Sequence, residues 1–241
     1  CILKKAVLFD LDGTLLPMDN DEFTRVYIGL LARKAAGWGY EPEEMVKALW
    51  KGTGAMVKND GSRPNEEAFW SVFKANVTAR TPEQIEGDKP LFDRFYTEEF
   101  HGAKSTTGDN PEAARLLVRL RGLGLRLILA TNPLFPPQAI ETRLGWIGLK
   151  PDDFEYITTY DNSSFCKPNP DYYREIMYKN GLSPEECVMV GNDIGEDMVP
   201  ASSAGMDVVL STDCLINPGG LPVEGFRPTS FGQLFEVIKS L

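Results

Sequence analysis

The chain has 241 residues, enough for one large or two modest domains and for a core that needs no disulfide staple. A net charge of −10 disfavours nucleic acid as a partner, because phosphate backbones require basic stripes. One histidine and four cysteines, none spaced Cys-x-x-Cys, argue against a zinc site.

The first predicted element is a buried strand, Ala6-Val7-Leu8-Phe9-Asp10, an apolar run stopped by Asp12-Gly13. The stretch from about Pro17 to Lys104 has no strand candidates. It presents three helical faces: Phe23, Val26, Tyr27, Leu30 and Leu31; Phe69, Trp70, Val72, Phe73 and Val77; Phe92, Phe95, Tyr96 and Phe100. Between the first two lies a breaker-rich loop, Lys58 to Pro64. Asn110-Pro111 opens a helix through Ala114, Leu117, Val118 and Leu120. Strands follow at Leu125–Thr131 and, more weakly, Phe154–Thr158. Asn169-Pro170 opens a helix that Gly181 stops. Strand Cys187–Gly191, a helix over Glu196–Ala204, strand Asp207–Leu210 and a helix from about Phe231 to Ile238 complete the order. Continuous apolar strands belong to parallel sheets covered on both faces, so the pattern predicts a doubly wound α/β fold with a helical insert after the first strand.

Chemistry-bearing residues sit where those strands end. Asp10 and Asp12 leave the first strand at alternate positions, and Gly13 permits a sharp turn beside them. Two carboxylates this close repel, so one must hold a cation or keep a proton, a division that suits covalent phosphoryl transfer. A strand-end turn held by aspartate side chains is the plainer alternative. Thr131 closes the second strand with a hydroxyl able to donate to a phosphoryl oxygen. Lys167 precedes a helix N-terminus and adds its full charge to that partial charge, although a solvated lysine in a proline-rich turn reads equally well. Asp193 emerges after the strand ending at Gly191, with Asp197 four residues on. Their oxygens suit Mg²⁺, or else Asp193 is a helix N-cap with Asp197 a first-turn acid.

Phe9-Asp10-Leu11-Asp12-Gly13-Thr14-Leu15 resembles the first signature of the haloacid dehalogenase superfamily. Thr131, Lys167 and Gly191-Asn192-Asp193-Ile194-Gly195-Glu196-Asp197 resemble the three that follow, in the same order. The resemblance spans Asp10 to Asp197 and implies a small-molecule phosphatase of the C1-capped kind. Residues 1–16 and 105–241 would then form a Rossmann-like core, and residues 17–104 a helical cap. The implied roles make Asp10 the nucleophile and Asp12 the general acid and base. The side chains of Thr131, Asn132 and Lys167 and the backbone at Leu11 would bind phosphate. Mg²⁺ would lie on Asp10, Asp193 and the carbonyl of Asp12, with Asp197 and Asn192 supporting it. The chain departs from the family pattern at Asn192, where members often carry a glycine or an acid. A shifted alignment would give Asn192 the ligating place. The metal is assigned to Asp193, because a carboxylate competes better than an amide for a hard dication.

Asp12 argues against the dehalogenase and phosphonate-cleaving branches, which replace it. A sugar phosphomutase or a non-catalytic ligand-binding protein on the same scaffold are the rival readings. The mutase pattern tends to carry a histidine soon after the first motif, and His101 is far from it. The expected partner is a small phosphorylated metabolite, with no nucleic acid and no membrane. Scattered cysteines (Cys1, Cys166, Cys187, Cys214) and no signal peptide suit a reducing cytoplasm. The chain opens on Cys1 rather than methionine, which leads us to expect that a few residues precede it. Lys51, Lys58, Asn59 and Arg63 are the insert's candidate substrate contacts, weighed against simple solvation. Trp50 and Trp70 are expected to be core.

Overall fold

A computed structural model describes residues 3–241; Cys1 lies outside the described residues. Five parallel strands form one sheet in the order β3-β2-β1-β4-β5: β1 Ala6–Phe9, β2 Arg126–Leu129, β3 Tyr156–Ile157, β4 Cys187–Gly191 and β5 Asp207–Leu210. All five expected strands are present. β3 shrinks to two half-buried residues at the sheet edge, where it has one neighbour only.

The sheet is apolar on both faces because helices cover both. Val7 and Phe9 point into one cluster and Ala6 and Leu8 into the other, so successive β1 side chains serve opposite layers. All four are fully buried, and truncating a residue such as Phe9 to alanine costs about 3–5 kcal/mol. On the Phe9 side lie α5 (Glu112–Gly122), α6 (Pro137–Trp146) and α9 (Leu234–Lys239). On the Leu8 side lie α7 (Pro170–Asn180) and α8 (Val199–Ser203). Asn169 caps α7 by accepting the Asp171 N–H at 2.9 Å, and Gly181 ends it in the left-handed conformation at φ 62°, as its sequence implied.

The helix expected over Glu196–Ala204 is instead a wide turn, Ile194–Met198, followed by the short α8. The Met198 N–H reaches back five residues to the Asp193 carbonyl at 3.2 Å, and Pro200 has no N–H to continue a regular ladder. Helix α6 was not foreseen, nor was α2 in the insert.

Between β1 and α5 the chain is helical: α1 Asn20–Ala36, α2 Pro42–Val57, α3 Asn65–Ala75, α4 Pro82–Thr97 and a 3₁₀ stretch, Glu99–Thr106. An aromatic nucleus joins α3 and α4 to the segment between α1 and α2. Trp70 stands edge-on to Phe69, Phe73 and Phe92 at centroid distances of 5.1–5.4 Å, and Tyr40 meets Phe92 at 5.6 Å.

The insert is also pinned to the core. Asn65 is fully buried. Its Nδ2 donates to the Phe165 carbonyl at 3.2 Å, its backbone N–H to Ser163 at 2.8 Å, and its Oδ1 accepts from Asn59 at 2.9 Å. Gly61 lies so close to the Phe165 ring that a Cβ there would come within 2.3 Å of it. The breaker-rich loop thus docks on the segment leading to Lys167.

Candidate active site

In a parallel sheet of this order the chain reverses direction between β1 and β4, and the crevice beyond their carboxyl ends is where such folds bind ligands. Asp10 follows β1 directly, Thr131 and Asn132 follow β2, and Asn192 and Asp193 follow β4. All of these line one cavity of about 260 Å³ together with Asp12, Glu196 and Asp197.

Lys167 lies beneath the cavity with 1% of its side chain exposed. Its Nζ donates to Asp10 Oδ1 at 2.8 Å and to Asp197 Oδ1 at 2.6 Å. Burial disfavours the ammonium, but the two carboxylates outweigh it and hold the lysine protonated. The same burial pushes Asp10 up to about 8, with Lys167 pulling down and Asp197 pushing further up.

Two loops are locked to each other around this pair. Asp197 Oδ2 accepts the backbone N–H groups of Asn192 at 3.1 Å and Asp193 at 3.0 Å. The wide turn brings Asp197 back far enough for this, and only glycine fits at 191, where a Cβ would sit 2.2 Å from Asp197 Oδ2. Gly13, at φ +86°, passes so close to Asn192 that a Cβ would fall 2.3 Å from its Nδ2. The Thr14 hydroxyl lies 3.3 Å from Asp10 Oδ2 and 3.1 Å from Asn192 Oδ1, with one proton to share between them. Asn192 Nδ2 donates to the Cys214 carbonyl at 2.6 Å. Asn192 therefore fastens the β1 and β4 loops together.

Asp193 caps the turn after it, as one of its two sequence readings held. Its Oδ1 accepts from Gly195 N–H at 2.8 Å and Glu196 N–H at 3.0 Å. That leaves Oδ2 for another partner, in the same cavity as Asp10. Thr131 has its carbonyl fixed by Tyr172 Oη and Thr158 Oγ1, both at 2.7 Å, while among the described residues no protein group pairs with its hydroxyl. Asn132 Oδ1 accepts the Lys167 backbone N–H at 3.2 Å, and its Nδ2 lies 3.4 Å from Glu196 Oε2.

Sequence reasoning missed two residues. Arg143, on α6, is completely buried and forms an ion pair with Asp12 Oδ2. Its guanidinium lies 4.4 Å from the Phe135 ring centroid, and its Nε donates to the Ala139 carbonyl at 3.2 Å. Asp12 Oδ1 is buried with no hydrogen-bond partner. The available signal was an arginine on the apolar face shared by Ala139, Ile140 and Leu144. The second is Glu196, raised to about 7, chiefly by burial.

The insert's contribution differs from expectation. Lys51, Lys58, Asn59 and Arg63 do not line the cavity. Lys51 donates to Asn76, and Asn59 is buried in the docked loop. Trp70 is core, but Trp50 is 52% exposed and lines the cavity, because α2 turns it away from the aromatic nucleus.

Five carboxylates line the crevice, and the two cations beneath it engage only Asp10, Asp197 and Asp12. Asp193 and Glu196 have no cationic partner among the described residues, and burial raises both. No cage of three or more metal-ligating side chains exists among the described residues. Mg²⁺ requires none, since it binds through one or two carboxylates and keeps several waters. Asp10 and Asp193 line the same cavity and offer hard carboxylate oxygens of the kind Mg²⁺ takes.

Fold and cavity together define an α/β protein whose acidic and polar side chains gather at the ends of β1, β2 and β4. The family description "Hydrolase: haloacid dehalogenase-like hydrolase" matches residues 4–205, and the chain belongs to that family, with its helical insert in the C1 position. It is 30% identical to a glyceraldehyde 3-phosphate phosphatase of Methanothermobacter thermautotrophicus, over 86% of this chain and 84% of that one. It is also 30% identical to a phosphoglycolate phosphatase of Shigella boydii, over 83% and 78%. In fold it is similar to a 2-haloacid dehalogenase of Pseudomonas syringae, with a TM-score of 0.63, 22% identity and 99% of both chains covered. No described helix is long and apolar enough to cross a membrane.

Proposed function

We propose that the chain is a Mg²⁺-dependent phosphatase that hydrolyses a small phosphate monoester through an aspartyl-phosphate on Asp10. The observation that carries this reading is the buried Lys167 ammonium held between Asp10 and Asp197 at the sheet's switch point, beside the free Thr131 hydroxyl. The named phosphatases among its relatives support a hydrolase of phosphoric monoesters.

Bound Mg²⁺ would neutralise Asp10 and Asp193, keep Asp10 ionised and offset the charge of the phosphoryl group. Asp10 Oδ2 is the oxygen not committed to Lys167, and it attacks phosphorus in line with the leaving oxygen. The Thr131 hydroxyl, the Asn132 amide, the Lys167 ammonium and the backbone at Leu11 stabilise the equatorial oxygens. Asp12, entering the cycle protonated, gives its proton to the leaving alcohol and regains one from the water that cleaves the acyl phosphate. Arg143 grips Asp12 Oδ2 and so fixes the orientation of its carboxyl group. Residues 17–104 act as a cap that closes the chamber and excludes water from the first step. We place the reaction in the cytoplasm.

Among the rival readings, the mutase gains no support. His101, the chain's single histidine, accepts from Trp146 Nε1 at 3.1 Å and lies outside the chamber lining. The test is Asp10→Asn, which is expected to fold and to release no phosphate. Wild-type turnover by that variant overturns the proposal.

A further inference from the structure

The chamber that receives the substrate has two unlike walls. The core wall carries the five carboxylates with Thr131, Asn132 and Asn192. The insert supplies Asn20, Phe23, Thr24, Tyr27, Ile28, Leu49, Trp50 and Thr53, all of them neutral. Among the described residues no lysine, arginine or histidine side chain lines the chamber. The nearest cations are already committed, Lys167 to Asp10 and Asp197, and Arg143 to Asp12. Lys51, next to the chamber residue Trp50, turns away to Asn76.

Asn20 Oδ1 is buried with no hydrogen-bond partner. A hydroxyl on the substrate can donate to it, whereas a carboxylate has no proton to give. The Trp50 and Tyr27 rings offer apolar faces to the carbon skeleton, and the Thr24 hydroxyl offers a further polar contact.

We propose, resting on the phosphatase reading above, that the enzyme selects phosphate esters of uncharged, hydroxylated alcohols and rejects those whose leaving alcohol carries a carboxylate. A second negative charge would enter a chamber lined by five carboxylates and no free cation. Like charges brought together in such a site discriminate strongly, so a preference of roughly 100-fold or more in kcat/KM is expected.

The experiment compares isosteric pairs with the Mg²⁺-loaded protein. Glycerol 3-phosphate is set against 3-phosphoglycerate, and 2-hydroxyethyl phosphate against phosphoglycolate, with p-nitrophenyl phosphate as a reporter of basal chemistry. The neutral member of each pair should be favoured by roughly 100-fold. Calorimetric binding to Asp10→Asn should show the same order without turnover. Thr24→Lys, which places an ammonium in the neutral wall, should narrow both gaps at least ~10-fold. If p-nitrophenyl phosphate is cleaved but the pairs show no preference for the neutral member, or neither member is a substrate, the inference is overturned and the phosphatase reading stands. A preference that Thr24→Lys leaves untouched also overturns it, since charge would not be its cause. No release from any ester refutes the phosphatase reading itself, and the inference with it.

Discussion

Replacing Arg143 by methionine removes a charge from the interior while keeping most of the stem that packs on Phe135. The guanidinium is fully buried, but 22% of the Asp12 side chain is exposed, so water can replace part of the lost partner. Breaking a buried pair costs about 3–5 kcal/mol, and that partial exposure puts this one near ~3 kcal/mol. At ~2–4 °C per kcal/mol for a chain of this size, Tm should fall by about 6–12 °C. The kinetic consequence is more diagnostic. If Arg143 aims Asp12 at the leaving oxygen, its loss should cost an alkyl phosphate ~10²–10⁴-fold in kcat, the range for a general acid. A p-nitrophenyl ester leaves without a proton and should lose far less. The assay is kcat for both esters on Arg143→Met and Arg143→Lys below their unfolding range, with Lys restoring part of the rate. An equal loss on both esters, or no loss on either, would refute the positioning role.

Lys167→Met strands two buried carboxylates on one another, and it should lower stability by about 3–5 kcal/mol and kcat by ~10²–10³-fold, read by urea titration and steady-state kinetics. Burial pushes the Cys187 thiol up to about 12 and that of Cys166 well above its usual range, so both hold almost no thiolate at pH 8. The part-exposed Cys214 should therefore be alkylated first of these three by iodoacetamide in the folded protein, as peptide mass mapping would show. Comparable labelling of Cys166 would contradict its burial.

Which residues line the candidate site could largely be read from sequence because that information is local. An apolar run ending in Asp10-Leu11-Asp12-Gly13 states in a few residues that a strand stops, a turn follows and two carboxylates share an edge. That β1, β2, β4 and β5 run parallel followed from their unbroken apolar character. What stayed hidden depends on pairings across the chain. Arg143 meets Asp12 from 131 positions away, and no spacing announces that contact. The docked loop at Asn59–Asn65 looked like a solvated rim because its partner, the segment ending at Cys166, lies about a hundred residues further on. Trp50 was misjudged for a related reason. Helix α2 went unrecognised, so nothing said which face of it the aromatic nucleus would cover, and the ring turned out to face the chamber. The wide turn at Ile194–Met198 hid behind an ordinary helical pattern that Pro200 interrupts.

The central claim is that the phosphoryl group passes through Asp10. Acid quenching within a single turnover, followed by peptide mass analysis, tests it most directly. The account predicts one added phosphoryl group on the peptide bearing Asp10, converted to homoserine at that position by borohydride and absent from Asp10→Asn. A phosphoryl group on any other residue, or undiminished turnover by Asp10→Asn with no labelled peptide, would contradict it.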